Sequence, residues 1–275
     1  GYATAANSKA EGNSVTVETS GWVDNTSYAG WAKGAVNRNI FTVKGHADWS
    51  VFGGKLDGGG TAEGNEVRVD GGTVNGHAIG AQGGTDAVVT GNKVTVTNGT
   101  VKKNITGGQS AGGNGKATRN VVAITGSTIE ENVSGGLVAN SGTVSDNQVS
   151  ISDSVIKKNV HGGYDTASGT VTGNNVAVSG SSTVEDVLYG GCSLDSGRVT
   201  GNTVNISDGT FKKRIFGGYS DKSGTVTENK VTITGGRFEG VVYGGAGGDP
   251  SGSGTFTVNN NIVTVAGGTF SGNIY

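Results

Sequence analysis

A short string, Asn-x-Val-x-Val/Ile with Phe41 once in place of the first Val, returns ten times along this chain. It begins at Asn13, Asn39, Asn65, Asn92, Asn120, Asn147, Asn174, Asn202, Asn229 and Asn261. The spacings are 26, 26, 27, 28, 27, 27, 28, 27 and 32 residues, and the one surplus falls in the loop between Gly244 and Gly254. A second ladder runs in step with the first. Gly-Gly pairs open at Gly53, Gly107, Gly135, Gly162, Gly190, Gly217 and Gly244, nearly always fifteen residues after the Asn, and Ala29-Gly30 and Gly80-Ala81 stand in for them in two units. Two ladders in register along 275 residues leave few options for the fold. Each unit repeats one supersecondary element, and such units bury their apolar faces by stacking on their neighbours.

Within a unit the apolar residues alternate. Val204 and Ile206 are followed by Phe211 and then by Ile215 with Phe216. A period of two marks strands, and Val, Ile and Thr suit a pleated surface. Turn residues separate the runs: Asn98-Gly99, Asp208-Gly209, Gly235-Gly236 and Gly267-Gly268 tolerate positive φ. The Gly-Gly pairs are read as a second bend. Ser141-Gly142, Ser168-Gly169, Ser196-Gly197 and Ser223-Gly224 supply a third. The expectation is an all-β parallel β-helix, or β-solenoid: about ten coils of ~27 residues with three short strands each. Residues 1–275 form one continuous domain in this reading. A lone coil buries only a handful of apolar side chains, at roughly 1.5–3 kcal/mol each. Ordering its backbone costs on the order of 1–2 kcal/mol per residue, so coils must stack. At about 4.8 Å per coil, ten make a rod of roughly 45–50 Å.

Three rows of side chains then line up along the stack. The ten Asn place amides one above another, a structural ladder at a corner. After the inward apolar residue come Lys102-Lys103, Glu130-Glu131, Lys157-Lys158, Glu185-Asp186, Lys212-Lys213 and Glu239, alternating in sign from coil to coil. Opposite charges at strand spacing attract modestly and like charges repel, so the alternation reads as register control. Tyr164, Tyr189, Tyr219 and Tyr243 follow or flank the Gly-Gly pairs; they form a short aromatic strip, either a stacked corner or a surface for sugar contact.

Composition narrows the function classes. The net charge is -2 from 20 basic and 22 acidic residues, which argues against a nucleic-acid partner. One cysteine, Cys192, allows neither an internal disulfide framework nor a Cys-based zinc site. No apolar run is long enough to span a membrane, and the opening GYATAANSKA lacks the features of a signal peptide. His46, His77 and His161 occupy different places in their units and read as isolated surface or turn residues. His161, Asp165 and Ser168 are the residue types of a triad, without the elbow that would expose a nucleophile. GGAGGD at 244–249 matches one copy of a calcium-roll motif that needs tandem copies. The outward row Thr16, Thr42, Arg68, Thr95, Ala123, Ser150, Ala177, Asn205, Thr232, Thr264 is too mixed for a flat ice-binding array. No catalytic residue, cofactor or metal site is assigned.

Gly-, Asn- and Thr-rich coils of the form TVTxNxVTIxxGTFxxxIxGG resemble the passenger domains of bacterial autotransporter (type V secreted) adhesins, and related β-helical surface fibres. The resemblance covers essentially the whole chain but rests on repeat form. It implies a right-handed β-helix, export, and display outside the cell or at the bacterial surface. The functional expectation is a structural or adhesive rod with a host or bacterial surface protein or glycan as partner. A carbohydrate-active β-helix enzyme, a polysaccharide lyase or hydrolase, is the alternative; its long loops and converging carboxylates have no counterpart here.

The two ends of the chain also match. Joining Ile274-Tyr275 to Gly1-Tyr2 puts Ile274 fourteen residues before Asn13, as Ile215 stands before Asn229. The expectation is head-to-tail continuation, within a longer covalent solenoid or from subunit to subunit.

Overall fold

The computed structural model describes residues 1–2, 5, 7–248 and 254–275. The loop holding Asp249 and Pro250, and with it the end of the calcium-like stretch, lies outside them. Every strand pairing is parallel, and no helix occurs among the described residues. The chain winds through four sheets, three of ten strands and one of nine. That makes nine complete turns and the first three strands of a tenth. In a representative turn the strands are Arg198–Thr200, Thr203–Ile206, Thr210–Phe211 and Ile215–Ser220, here termed the first to fourth faces. The β-solenoid expected from the repeat is therefore present.

The number of strands per coil is four, where the sequence suggested three. The unrecognised corner lies just before each ladder Asn. All ten residues in that position have left-handed backbone: Gly12, Arg38, Gly64, Gly91, Arg119, Asp146, Gly173, Gly201, Glu228 and Asn260, with φ between 50° and 70°. Half of them are not glycine, so the row gives no uniform sequence signal. The strain is roughly 1–2 kcal/mol for each residue bearing a Cβ.

The Gly-Gly pair likewise differs from expectation. It lies inside the six-residue fourth strand, as in Ile215–Ser220, and not between strands. Space explains the requirement for Gly better than backbone freedom does. A Cβ on Gly218 would lie 2.4 Å from the Asn229 side chain, and one on Gly217 would lie 2.3 Å from the Gly244 carbonyl in the next coil. The strand also bends across the pair: Phe216 and Tyr219, three residues apart, put their rings 5.0 Å from each other on one side. In a flat strand residues so spaced face opposite ways.

The interior has one main core and two smaller side clusters, the first of which holds Ala10, Val36, Ala62 and Val89 with Leu56. Inward residues of the second, third and fourth faces (Val204, Ile206, Phe211 and Ile215 in the representative turn) form the main core and are at most 2% exposed. A side core of Val144, Val171, Val199 and Val226 from the first face packs with Val138 from the end of the fourth. The Asn row stands at the first corner, against the Gly-Gly pair of the facing strand.

Candidate functional site

Most polar side chains in regular rows are occupied with the stack itself. From Asn39 to Asn229 the ladder Asn are fully buried. Each Nδ2 donates to the Oδ1 of the Asn one coil on at 2.6–3.0 Å, in all nine links from Asn13 to Asn261. The same Oδ1 also accepts a backbone N–H, as Asn202 Oδ1 does from Asn174 N at 3.0 Å. The remaining donor capacity goes to main-chain carbonyls, for Asn174 those of Val144 and Thr172. A buried amide row is tolerable only because it is satisfied in this way.

Two smaller ladders escaped the sequence reading. Ser127, Ser154 and Ser182 accept N–H bonds from the preceding coil at 3.2, 3.1 and 3.4 Å. Asn104, Asn132 and Asn159 run the opposite way: Asn132 N donates to Asn104 Oδ1, Asn159 N to Asn132 Oδ1 and Val187 N to Asn159 Oδ1. The clue was a row of amides just ahead of the fourth strand, obscured by His77, Val187, Arg214 and Val241 at the same position.

The alternating charges lie on the surface. Lys103 Nζ sits 3.0 Å from Glu131, Lys157 Nζ 3.5 Å from Glu130 and Lys212 Nζ 3.0 Å from Glu185, each pair joining successive coils. Lys102, Lys158, Lys213 and Asp186 have no such ion pair among the described residues, and Glu239 pairs within its own coil with Arg237.

The four tyrosines do not form one strip. They fall in two adjacent rows on the outer side of the fourth face. Tyr189 and Tyr243 share a row with His161 and Phe216, while Tyr164 and Tyr219 share the next with Cys192. In the first row, rings stack coil upon coil: His161 on Tyr189 at 5.1 Å, Tyr189 on Phe216 at 5.3 Å, Phe216 on Tyr243 at 5.0 Å and Tyr243 on Tyr275 at 5.2 Å. Arg214 adds its guanidinium 5.9 Å from the Phe216 centroid. Tyr164 lies nearly parallel to His161 at 4.4 Å. Both tyrosines thus stack on the imidazole, with no ring contact between them among the described residues.

His161 is consequently a buried residue, 5% exposed, and not the surface or turn residue the sequence suggested. Burial pulls its pKa down to about 4. Among the described residues its Nδ1 makes no hydrogen bond of ordinary geometry, and an interaction with the Val133 backbone offsets only part of the fall. Burial also pushes the Tyr164 phenol up to about 12 and raises the Tyr189, Tyr219 and Cys192 groups well above their ordinary values. Tyr219 donates to Asp221 Oδ1 at 2.7 Å. His46, in contrast, belongs to a network with Asp48 at 2.9 Å and Asn75 at 3.0 Å, and His77 Nδ1 accepts from Asn104 N at 3.2 Å.

His161, Asp165 and Ser168 do not converge. Asp165 occupies an inward position between Val138 and Ser193 of the neighbouring coils, opposite in sense to the outward imidazole. Its Oδ1 accepts the Ala167 N–H at 2.8 Å, and desolvation raises its pKa. Among the described residues no group of three or more His, Cys, Asp or Glu could hold a metal ion, and no helix is long and apolar enough to cross a membrane.

At the chain ends, Tyr2 bridges Trp31, and Ile274 bridges Val242, each continuing the fourth sheet by a residue or two.

One cavity interrupts the aromatic row. In the three coils before His161 the same position is held by Ser134, Thr106 and Ile79. Small side chains in two consecutive coils leave a hollow of 190 Å³ at the end of the ring stack, walled by Asn104, Asn132, Leu137 and Tyr164. Comparison with family models, with curated proteins and with solved structures finds no match for this chain.

Proposed function

We propose that the protein is a structural and adhesive element: a stiff β-solenoid rod, displayed outside the cell, that makes contact through the outer side of its fourth face. The observation that carries this reading is the unbroken Asn ladder, nine links without a gap. A row of satisfied amides holds every coil at one register and one spacing, which suits a spacer that must transmit force without a hinge. The two outward aromatic rows support the choice of face. Aromatic side chains offer large contact area at small entropic cost, and they are enriched where proteins meet partners. Extracellular display, and head-to-tail continuation of the stack, rest on the likeness of the coil sequence to autotransporter passenger domains and on the repeat itself.

The test is retention of cells under flow. Surfaces coated with the folded chain are compared with surfaces carrying the same mass of heat-unfolded chain, using bacterial and epithelial cells. The reading expects folded coats to hold cells of at least one type at shear that clears the unfolded coat. Equal clearance from both coats for both cell types would overturn it.

A further inference from the structure

We propose that the hollow at the end of the aromatic stack binds one ring of a neutral glycan. The inference rests on the reading of the fourth face as the contact face and gives it a ligand class. Tyr164 is the terminal ring: His161 covers one side of it, and no other ring contacts it among the described residues. Tyr164 lines the hollow together with its in-register neighbours Leu137 and Cys192, and a ring so placed is a platform of the kind on which the apolar face of a pyranose packs. Beyond it the floor consists of Ser134 and Thr106, whose hydroxyls make no hydrogen bond among the described residues. The side wall adds amides. Asn104 and Asn159 use their Oδ1 atoms to accept backbone N–H bonds, while neither Nδ2 donates to a described residue.

Hydroxyls and amide N–H groups beside a ring platform match a ligand whose hydroxyls both donate and accept. Charge decides the subclass. No Lys, Arg, Asp or Glu lines the hollow, so nothing there compensates a uronate, sulfate or phosphate, and a neutral sugar is selected. Size decides the extent. At 190 Å³ the hollow is smaller than the roughly 300–1,000 Å³ typical of pockets that enclose a drug-sized ligand, so it holds one ring and leaves the rest of a chain outside.

The experiment is an NMR titration of the folded chain with the methyl β-glycosides of glucose, galactose and N-acetylglucosamine, following the Asn104 and Asn159 side-chain amides. Two variants accompany it. Ser134→Tyr places a ring where Tyr189 and Tyr243 stand in later coils, filling the hollow with a residue this row already accepts. Tyr164→Leu replaces the platform with the residue that Leu137 supplies one coil earlier. At least one glycoside should shift both amides saturably, and each variant should weaken it tenfold or more at an unchanged unfolding midpoint. No saturable shift with any of the three would overturn the proposal, as would equal affinity in Ser134→Tyr. Adenosine, a flat heteroaromatic, is the control; binding it while ignoring the glycosides would also overturn it. If the titration fails and coated surfaces still hold cells, the glycan site falls and the adhesive reading stands. Sugar binding without cell retention does the reverse: the glycan site stands and the adhesive reading falls.

Discussion

Replacing one ladder amide by its isosteric acid, Asn174→Asp, isolates the hydrogen-bond logic of the stack from its packing. In the native chain Asn174 Oδ1 accepts from Asn147 N and Nδ2, at 3.1 and 2.8 Å. Its Nδ2 faces Asn202 Oδ1 at 2.8 Å and the Val144 and Thr172 carbonyls at 3.1 Å each. An aspartate keeps the accepting oxygen but turns its second oxygen towards three acceptors in a fully buried site. Only the protonated acid can donate there, so the folded-state pKa must rise above the unfolded value of about 3.9. The sign follows. Below about pH 3.9 the acid is neutral in both states, and the variant lies closest to wild type. As the pH rises the unfolded chain ionises first, and the variant loses about 1.4 kcal/mol per pH unit until the folded pKa is passed. Carried to neutral pH, the deficit reaches about 4 kcal/mol if the folded group still holds its proton. Denaturant unfolding of both proteins, followed by circular dichroism at several pH values, measures it. A deficit that is constant with pH, or a variant as stable as wild type at neutral pH, would refute the ladder assignment.

Three further outcomes follow from particular sites. His161, with its pKa held down near 4 by burial against an unfolded value of 6.5, contributes stability present above that unfolded value and lost as the pH falls through the window between them. The loss is about 3 kcal/mol, and it should vanish in His161→Phe, as pH-dependent unfolding would reveal. Charge reversal by Lys157→Glu with Lys158→Glu breaks the exposed pair with Glu130; it should lower stability by up to about 1 kcal/mol at low salt and be rescued by added salt, so an unchanged low-salt midpoint refutes register control. Ile206→Asp buries a carboxylate at a position 2% exposed and should cost several kcal/mol, whereas Asn205→Asp on the outer side should stay within about 0.5 kcal/mol; equal sensitivity would refute the strand phase.

The parts of this fold visible in the sequence are those that every coil repeats with one residue type. Inward Val and Ile, the Asn before them and the Gly-Gly pair recur with little variation, because each meets its own copy one coil away. The fourth strand per coil stayed hidden because its corner is set by backbone conformation: Gly201 and Glu228 adopt nearly the same φ, 64° and 61°, with nothing chemical in common. Gly-Gly was legible as a bend, and the chain does bend across it, but within one strand and not between two. Here its role is to leave room for a neighbouring amide, a contact that depends on which faces oppose each other. The candidate site was legible only in part. The tyrosines could be seen, but their division into two rows depends on whether each precedes or follows the Gly-Gly pair across a bent strand. The hollow depends on Ser134 and Thr106, ordinary residues that matter because aromatic rings hold the same position in later coils.

The most direct test of the account is the exchange of the ladder side chains themselves with solvent. Eight Asn from Asn39 to Asn229 are fully buried and bonded from coil to coil, whereas Asn205 is exposed on the outer side of the same strand as Val204 and Ile206. Hydrogen–deuterium exchange of side-chain amides, resolved by NMR, should show those eight protected as strongly as the central backbone amides, and Asn205, held only by one exposed bond to Asn175 Oδ1 at 2.9 Å, exchanging far faster. Ladder amides that exchange as fast as Asn205 would contradict the account, because coils without that buried row would have lost the element that fixes them into one rod.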